Sequence, residues 1–315
     1  MTIPHAAHPA AAPAASYSIS RRHLAGAVGV HIGGTACRAA SGLTEDRIWR
    51  GALPPGDVEA ICRAITAAVQ AVEPAPRFVV VGTPGHVDRE TGMVKAAANL
   101  GAQWEGTVPL RDLLVERLGC EVEIRNDAEV ALEAEKRRGA LVAVNDGALI
   151  TLSTGVGVAL LVDGRDQPTE LGHSVLQYDG PPCRGRPHNG CFESFLGGWA
   201  LPLRYKELHP DFTGSSAREI PDDEAFWTDC GQRLGELVVT LCLLGQRMEV
   251  VSLIGQVALA RARFLLPPVR ARVEQEASLL GTVPRRITVT PLGEDVAMIG
   301  ALLVARDLLY PFQEA

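Results

Sequence analysis

Lysine is nearly missing from this 315-residue chain: Lys95, Lys136 and Lys206 are the only three among 30 basic residues. None of them follows a glycine, so the glycine-lysine phosphate loop is excluded. No G-x-G-x-x-G stands between a strand and a helix, which removes a dinucleotide fold as well. Long hydrophobic runs are also lacking. The longest, such as Leu237 to Leu244, fall far short of the roughly 20 residues a membrane span needs, and a soluble protein with no membrane partner is expected. A net charge of -7 leaves no basic footprint, which argues against nucleic acid as a primary partner. Small-molecule chemistry is the default.

The seven cysteines, at positions 37, 62, 120, 183, 191, 230 and 242, are scattered, and most sit in apolar periodic segments. They read as free buried thiols in a reducing, cytoplasmic setting. The first 25 residues are Ala/Pro-rich without apolar periodicity and are expected to form a disordered extension. SRRHLAGAVGV places two arginines before an apolar run, as an export signal would, but the run is short and flows into HIGGT rather than a small-residue cleavage site.

What is present begins with VGVHIGGTACRAA, Val28 to Ala40. It reads as a buried strand opening into Gly33, Gly34 and Thr35, an arrangement that lets backbone approach phosphate oxygens closely. Asp57 caps a helix in which Val58, Ile61, Cys62, Ile65, Val69 and Val72 recur at helical spacing. FVVVG from Phe78 is a continuous apolar run, expected of a parallel strand covered on both faces. A helix over Leu110 to Leu118, a strand from Glu121 and a helix over Ala128 to Arg138 complete an alternating α/β pattern. The pattern then repeats. Leu149 to Ser153 opens into Thr154, Gly155 and Gly157, and two such loops suggest paired phosphate clamps facing one cleft. A hairpin turns at Asp163-Gly164, and a loop-rich segment spans 164–198. Long helices are expected over Asp223 to Met248 and much of Gln256 to Leu280, strands at Val250 to Leu253 and Ile287 to Pro291, and a final helix from Glu294.

Asp127 lies where a strand meets a helix, in the crevice where open α/β sheets bind ligands, although a helix N-cap is the plainer reading of the same residue. Glu170 and His173, followed by Cys183, His188, Cys191 and Glu193, form a denser cluster whose thiols and imidazoles suit zinc. In order, VGVHIGGT, GTPGHVDRETGMV, NLGAQWEG, RNDAEVAL, TLSTGVGVAL, ELGH, DGPPCRGRPHNGCFES and LGEDVAMIGALL resemble the ROK family of sugar kinases and repressors, from about Val28 to Leu303.

The resemblance implies a two-lobed actin-like ATPase (ribonuclease H-like) α/β fold with the ligand cleft between its lobes. Residues 26–126, joined by a C-terminal helix at 296–315, would make the smaller lobe, and 127–295 the larger. It implies ATP with Mg2+ as donor, a sugar acceptor and a homodimer. Asp127 becomes the general base, and Gly85, His86, Asn99, Asn126, Glu170, His173 and Glu193 the sugar-binding residues. Gly33, Gly34, Thr35, Thr154, Gly155, Gly157 and Gly255 face the nucleotide. The acceptor is the primary hydroxyl of a hexose, aminohexose or cyclitol; kanosamine, an aminosugar of specialised metabolism, is one example.

The departures lie mainly in the nucleotide half. His31 replaces an aspartate that helps position the magnesium-nucleotide phosphates, Ala36 a lysine, and Ile254-Gly255-Gln256 a triple-glycine loop. His86 replaces a residue that is commonly proline. The zinc pattern C-x-C-G-x-x-G-C is one residue longer here, with Gly185 at the second cysteine, leaving His173, Cys183 and Cys191 with His188 as the fourth ligand. The alternative to a kinase is a non-catalytic sugar-binding pseudokinase acting through protein contacts. DNA-binding regulation is disfavoured, because the N-terminal residues are too few and too Pro-rich for a helix-turn-helix.

Overall fold

The computed structural model describes residues 25–42, 47–54, 56–184, 186–244, 247–280 and 282–311. The expected N-terminal extension and Gly185 lie outside the described residues, as do the last four residues of the expected C-terminal helix.

Strands β1 (Ala27–Ile32) and β2 (Ala36–Ser41) form an antiparallel hairpin around Gly33, Gly34 and Thr35, and β3 (Arg47–Ala52) extends it. The Asp57 carboxylate accepts from the Ala60 N–H at 3.0 Å and starts α1 (Val58–Val72), which buries Ile61, Cys62, Ile65, Ala68, Val69 and Val72 along one face. The helix returns the chain to β4 (Phe78–Thr83), parallel to β1, with Val79, Val80 and Val81 fully buried. Strands β5 (His86–Asp88), β6 (Met93–Lys95) and β7 (Thr107–Val108) make a small separate sheet. Helix α2 (Leu110–Leu118) then leads to β8 (Glu121–Asn126), parallel to β4, and α3 (Asp127–Arg138) follows without a break. The sheet order is β3-β2-β1-β4-β8.

A second sheet repeats this plan. Strands β9 (Gly147–Leu152), β10 (Val156–Val162) and β11 (Arg165–Thr169) form an antiparallel meander. Its turn has φ of 49° at Asp163 and 73° at Gly164, the left-handed pair that matches hairpin twist. Helices α4 (Phe192–Leu196), α5 (Leu201–Leu208) and α6 (Glu224–Leu243) precede β12 (Val250–Ile254), which runs parallel to β9. Helices α7 (Gln256–Gln275) and α8 (Ala277–Leu280) lead to β13 (Arg286–Val289), and α9 (Val296–Leu309) closes the described chain. The order is β11-β10-β9-β12-β13. Helix α6 ends at Leu243, five residues short of the sequence expectation.

Two long-range contacts fix α3, the helix that begins at Asp127. Helix α9 crosses it so closely that a Cβ at Gly300 would fall 1.6 Å from the Val130 carbonyl oxygen. At its other end the fully buried Glu135 carboxylate accepts from the Ala140 N–H at 2.7 Å, the Ser252 hydroxyl at 3.0 Å and the Thr290 hydroxyl. Burying that carboxylate without partners would cost several kcal/mol; three donors, two of them beside β12 and β13, offset it and tie α3 to the second sheet.

Candidate active site

Two cavities lie between the sheets and share a wall. The first is lined by His31, Gly33, Gly34, Thr35, Ala36, Arg38, Thr154, Gly255, Gln256 and Glu294, among others. The second is lined by Gly85, Asn126, Gly155, Gly157, Glu170, His173, Arg184, Arg186 and Glu193 with their neighbours. Pro84, Asn99, Asp127, Thr151 and Ser153 belong to both. A ligand in either cavity therefore meets Asp127.

Asp127 sits there because β8 ends on an asparagine that caps the next helix. Asn126 Oδ1 and Asp127 Oδ1 both accept from the Ala128 N–H at 2.9 Å, while Asn126 Nδ2 donates to the Gly85 carbonyl at 2.9 Å. The helix-cap reading thus belongs to Asn126, and Asp127 keeps its second oxygen for the cleft. Burial is the largest influence on this carboxyl and lifts its pKa. Hydrogen bonds from the Ala128 and Asp127 N–H groups oppose that, the charges of Glu170 and Glu129 reinforce it, and the result is about 6. A carboxylate poised just below neutrality is ionised at pH 7 and basic enough to share a hydroxyl proton.

The second cavity is organised by Glu193, only 8 % exposed at the start of α4. Its Oε2 accepts from the Val156 N–H at 3.0 Å, and its Oε1 from the Trp199 indole N–H at 3.3 Å. A Cβ at Gly155 would lie 2.4 Å from Oε2, so that glycine makes room for the carboxylate. Glu170 is exposed and reaches His173 at 4.0 Å and Arg186 at 3.9 Å. Of the residues the sequence assigns to a sugar, Gly85, Asn99, Asn126, Glu170, His173 and Glu193 gather here. His86 is exposed on β5 opposite Lys95 and lines neither cavity. Of the residues assigned to a nucleotide, Gly33, Gly34, Thr35, Thr154 and Gly255 line the first cavity, whereas Gly155 and Gly157 line the second.

Beside the second cavity, one ligand atom from each of His173, Cys183, His188 and Cys191 lies within 4.8 Å of the others. Cys183 Sγ is 3.5 Å and Cys191 Sγ 4.0 Å from His173 Nδ1. The loop is pinned by Pro182↔Asn189 and Val175↔Cys191 bridges and by the Cys183 N–H donating to the His188 carbonyl at 2.9 Å. Burial pushes the Cys183 thiol up to about 12. Burial works against a Cys191 thiolate too, but hydrogen bonds led by His173 outweigh it and bring that thiol down to about 6. His188 Nε2 is buried with no hydrogen-bond partner among the described residues. Two thiols and two imidazoles, one of them with an orphaned nitrogen, fit a tetrahedral zinc ion.

Several lining residues escaped the sequence reading. Thr151 on β9 and Ser153 just past its end stand two residues apart in an otherwise apolar run, a period-2 signal that could have placed them on the cleft face. Arg38 pairs in register with His31 across β1 and β2, and its guanidinium bonds Glu294 at 2.6 Å and approaches Asp295 at 3.5 Å. A lone charge in ACRAAS was its signal.

Two sheets of matching plan, with a cleft at their junction and its key carboxylate between two chambers, define the two-lobed actin-like ATPase fold. Within it, this chain belongs to the ROK family, whose sequence profile matches residues 27–308. It is 29% identical to a glucokinase of Thermotoga maritima, over 89% of this chain and 97% of that protein. Among solved structures, the ROK family glucokinase of Streptomyces griseus, in complex with glucose and AMPPNP, superimposes with a TM-score of 0.76 at 26% identity, covering 89% of this chain and 99% of that one. The ROK hexokinase of Thermus thermophilus follows at a TM-score of 0.67 and 25% identity, over 88% and 97%. No helix among the described residues is long and apolar enough to cross a membrane.

Proposed function

We propose that this protein is a sugar kinase that transfers a phosphoryl group from magnesium-ATP to the primary hydroxyl of a hexose or aminohexose. The observation that carries the reading is the shared wall: Asp127 borders both cavities, as a base between donor and acceptor must. The sugar lies in the second cavity with its hydroxyl at the free Asp127 oxygen, and the donor phosphates lie against Gly33, Gly34 and Thr35 in the first. Asp127 takes the hydroxyl proton as the new oxygen–phosphorus bond forms and the bond from the γ-phosphorus to the bridging oxygen breaks, releasing ADP. Positioning and electrostatics do the remainder, as in phosphoryl transfer generally.

Glu170, Glu193, Asn99 and His173 accept from or donate to ring hydroxyls. The carboxylates can also accept from an ammonium group, but Arg184 and Arg186 line the same chamber, so an aminohexose and a neutral hexose both fit the reading. Magnesium, bound with the nucleotide, offsets phosphate charge. Zinc, when bound by His173, Cys183, His188 and Cys191, fixes the loop that presents His173 and Glu193. The reading includes a homodimer and two lobes that divide near residue 126.

The test is incubation of the purified protein with ATP, magnesium and a panel of hexoses, aminohexoses and cyclitols, followed by mass detection of the sugar phosphate. One member should gain a single phosphate. Saturable sugar binding with no phosphorylated product from any member would favour the pseudokinase reading instead.

A further inference from the structure

His31 is the one ionisable side chain of β1, and it points an imidazole at the first cavity. Burial keeps it neutral: desolvation is the main cause, the neighbouring Arg38 charge adds to it, Asp295 partly offsets it, and the pKa falls to about 4. A neutral imidazole carries one proton on one of two nitrogens. Nδ1 is enclosed and has no hydrogen-bond partner among the described residues. A proton there would be a buried unmade donor, whereas an unprotonated Nδ1 leaves only an unpaired acceptor, the more tolerated of the two. The proton therefore belongs on Nε2, the nitrogen left to serve the cavity.

We propose that His31 is a positioning residue for the donor, presenting its Nε2–H to a phosphate oxygen so that a neutral hydrogen-bond donor serves where a metal-facing acid would otherwise act. The assignment rests on the donor site proposed above. Its surroundings agree with it. Arg38 lies directly across the β-ladder and lines the same cavity, so β1 and β2 together offer one neutral and one cationic donor. Glu294 and Asp295 hold the guanidinium in place from the turn before α9. An anion in this cavity meets hydrogen-bond donors on the hairpin side even without a divalent cation, and its binding should depend weakly on magnesium.

Calorimetric titration with AMPPNP, in magnesium and in excess EDTA, tests this without turnover. In the wild type, magnesium should change the affinity by less than about threefold. His31→Ala should weaken metal-free binding by about tenfold, the loss expected for one hydrogen bond to a charged group. His31→Gln, whose amide N–H reaches where Nε2–H does, should stay within about threefold of wild type. His31→Asp should bind the metal-free nucleotide poorly and recover when magnesium is added. Metal-free binding by His31→Ala as tight as wild type, or failure of His31→Gln to rescue, would overturn the assignment, as would absence of nucleotide binding in every variant. If metal-free binding depends on His31 but no sugar is phosphorylated, the assignment survives and the kinase reading fails.

Discussion

The two chambers of the cleft are built from the same fold yet hold opposite chemistry. The acceptor chamber presents Asp127, Glu170 and Glu193, with Arg184 and Arg186 beside them. The first chamber presents Gly33, Gly34, Thr35, a neutral imidazole and Arg38, whose guanidinium is paired with Glu294 of the same lining. In the proposed reading, one chamber takes the sugar through its carboxylates and the other the donor phosphates through hydrogen-bond donors. They meet at the Asp127 carboxyl, whose burial lifts it to about 6.

The comparison breaks most completely at the junction itself. Asp127→Asn should reduce turnover by about 10²- to 10⁴-fold while leaving acceptor affinity near wild type, because the amide keeps its hydrogen bonds but takes no proton. Steady-state kinetics beside calorimetry with the sugar would separate the two effects. A large loss of sugar affinity would recast Asp127 as a binding group.

Breaking only the acceptor side should cost less. Elemental analysis should find close to one zinc per chain, and chelation should lower Tm by about 5 °C or more and raise KM for the sugar more than for ATP. Cys191→Ser should reproduce both effects. Below about 0.2 zinc per chain, with Tm unmoved by chelator, the loop would be held by its backbone bridges alone.

The smallest expected effect is on stability. Because the Asp127 carboxyl has a raised pKa in the fold, ionising it favours the unfolded chain. That cost vanishes only at about pH 3 and below, where both states are protonated, and is fully felt above pH 6. Asp127→Asn should therefore stabilise the protein by about 1 to 2 kcal/mol at pH 7.5 and by almost nothing at about pH 3, as thermal unfolding at the two pH values would report.

The sequence made the acceptor side easier to read than the donor side, for a physical reason. Asn126, Asp127, Glu170, His173 and Glu193 are side chains in short motifs at strand and helix ends, where polar residues interrupt apolar runs. Likewise β4, α1 and α2 show through their apolar spacing, and α2 occupies the residues expected of it. The donor side is assembled from the β1–β2 hairpin, the β9–β10 turn, the start of α7 and the turn before α9, which only the fold brings together. Gly155 illustrates the limit. A glycine after a strand reads as a phosphate contact, yet its missing Cβ makes room for the Glu193 carboxylate, a contact between residues far apart in sequence. His86 was drawn in by its neighbour Gly85, but the short β5 strand turns it outward.

The most direct test of a single carboxyl poised between the two chambers is the pH dependence of kcat/KM for the best acceptor, with donor saturating. Asp127 must be ionised in the enzyme–donor complex that meets the acceptor, so the profile should fall below neutrality with slope one and an apparent pKa near 6, in contrast to the roughly 3.9 of an ordinary aspartate. A rate that stays level from pH 7.5 down to about pH 4.5, in protein that remains folded, would contradict it.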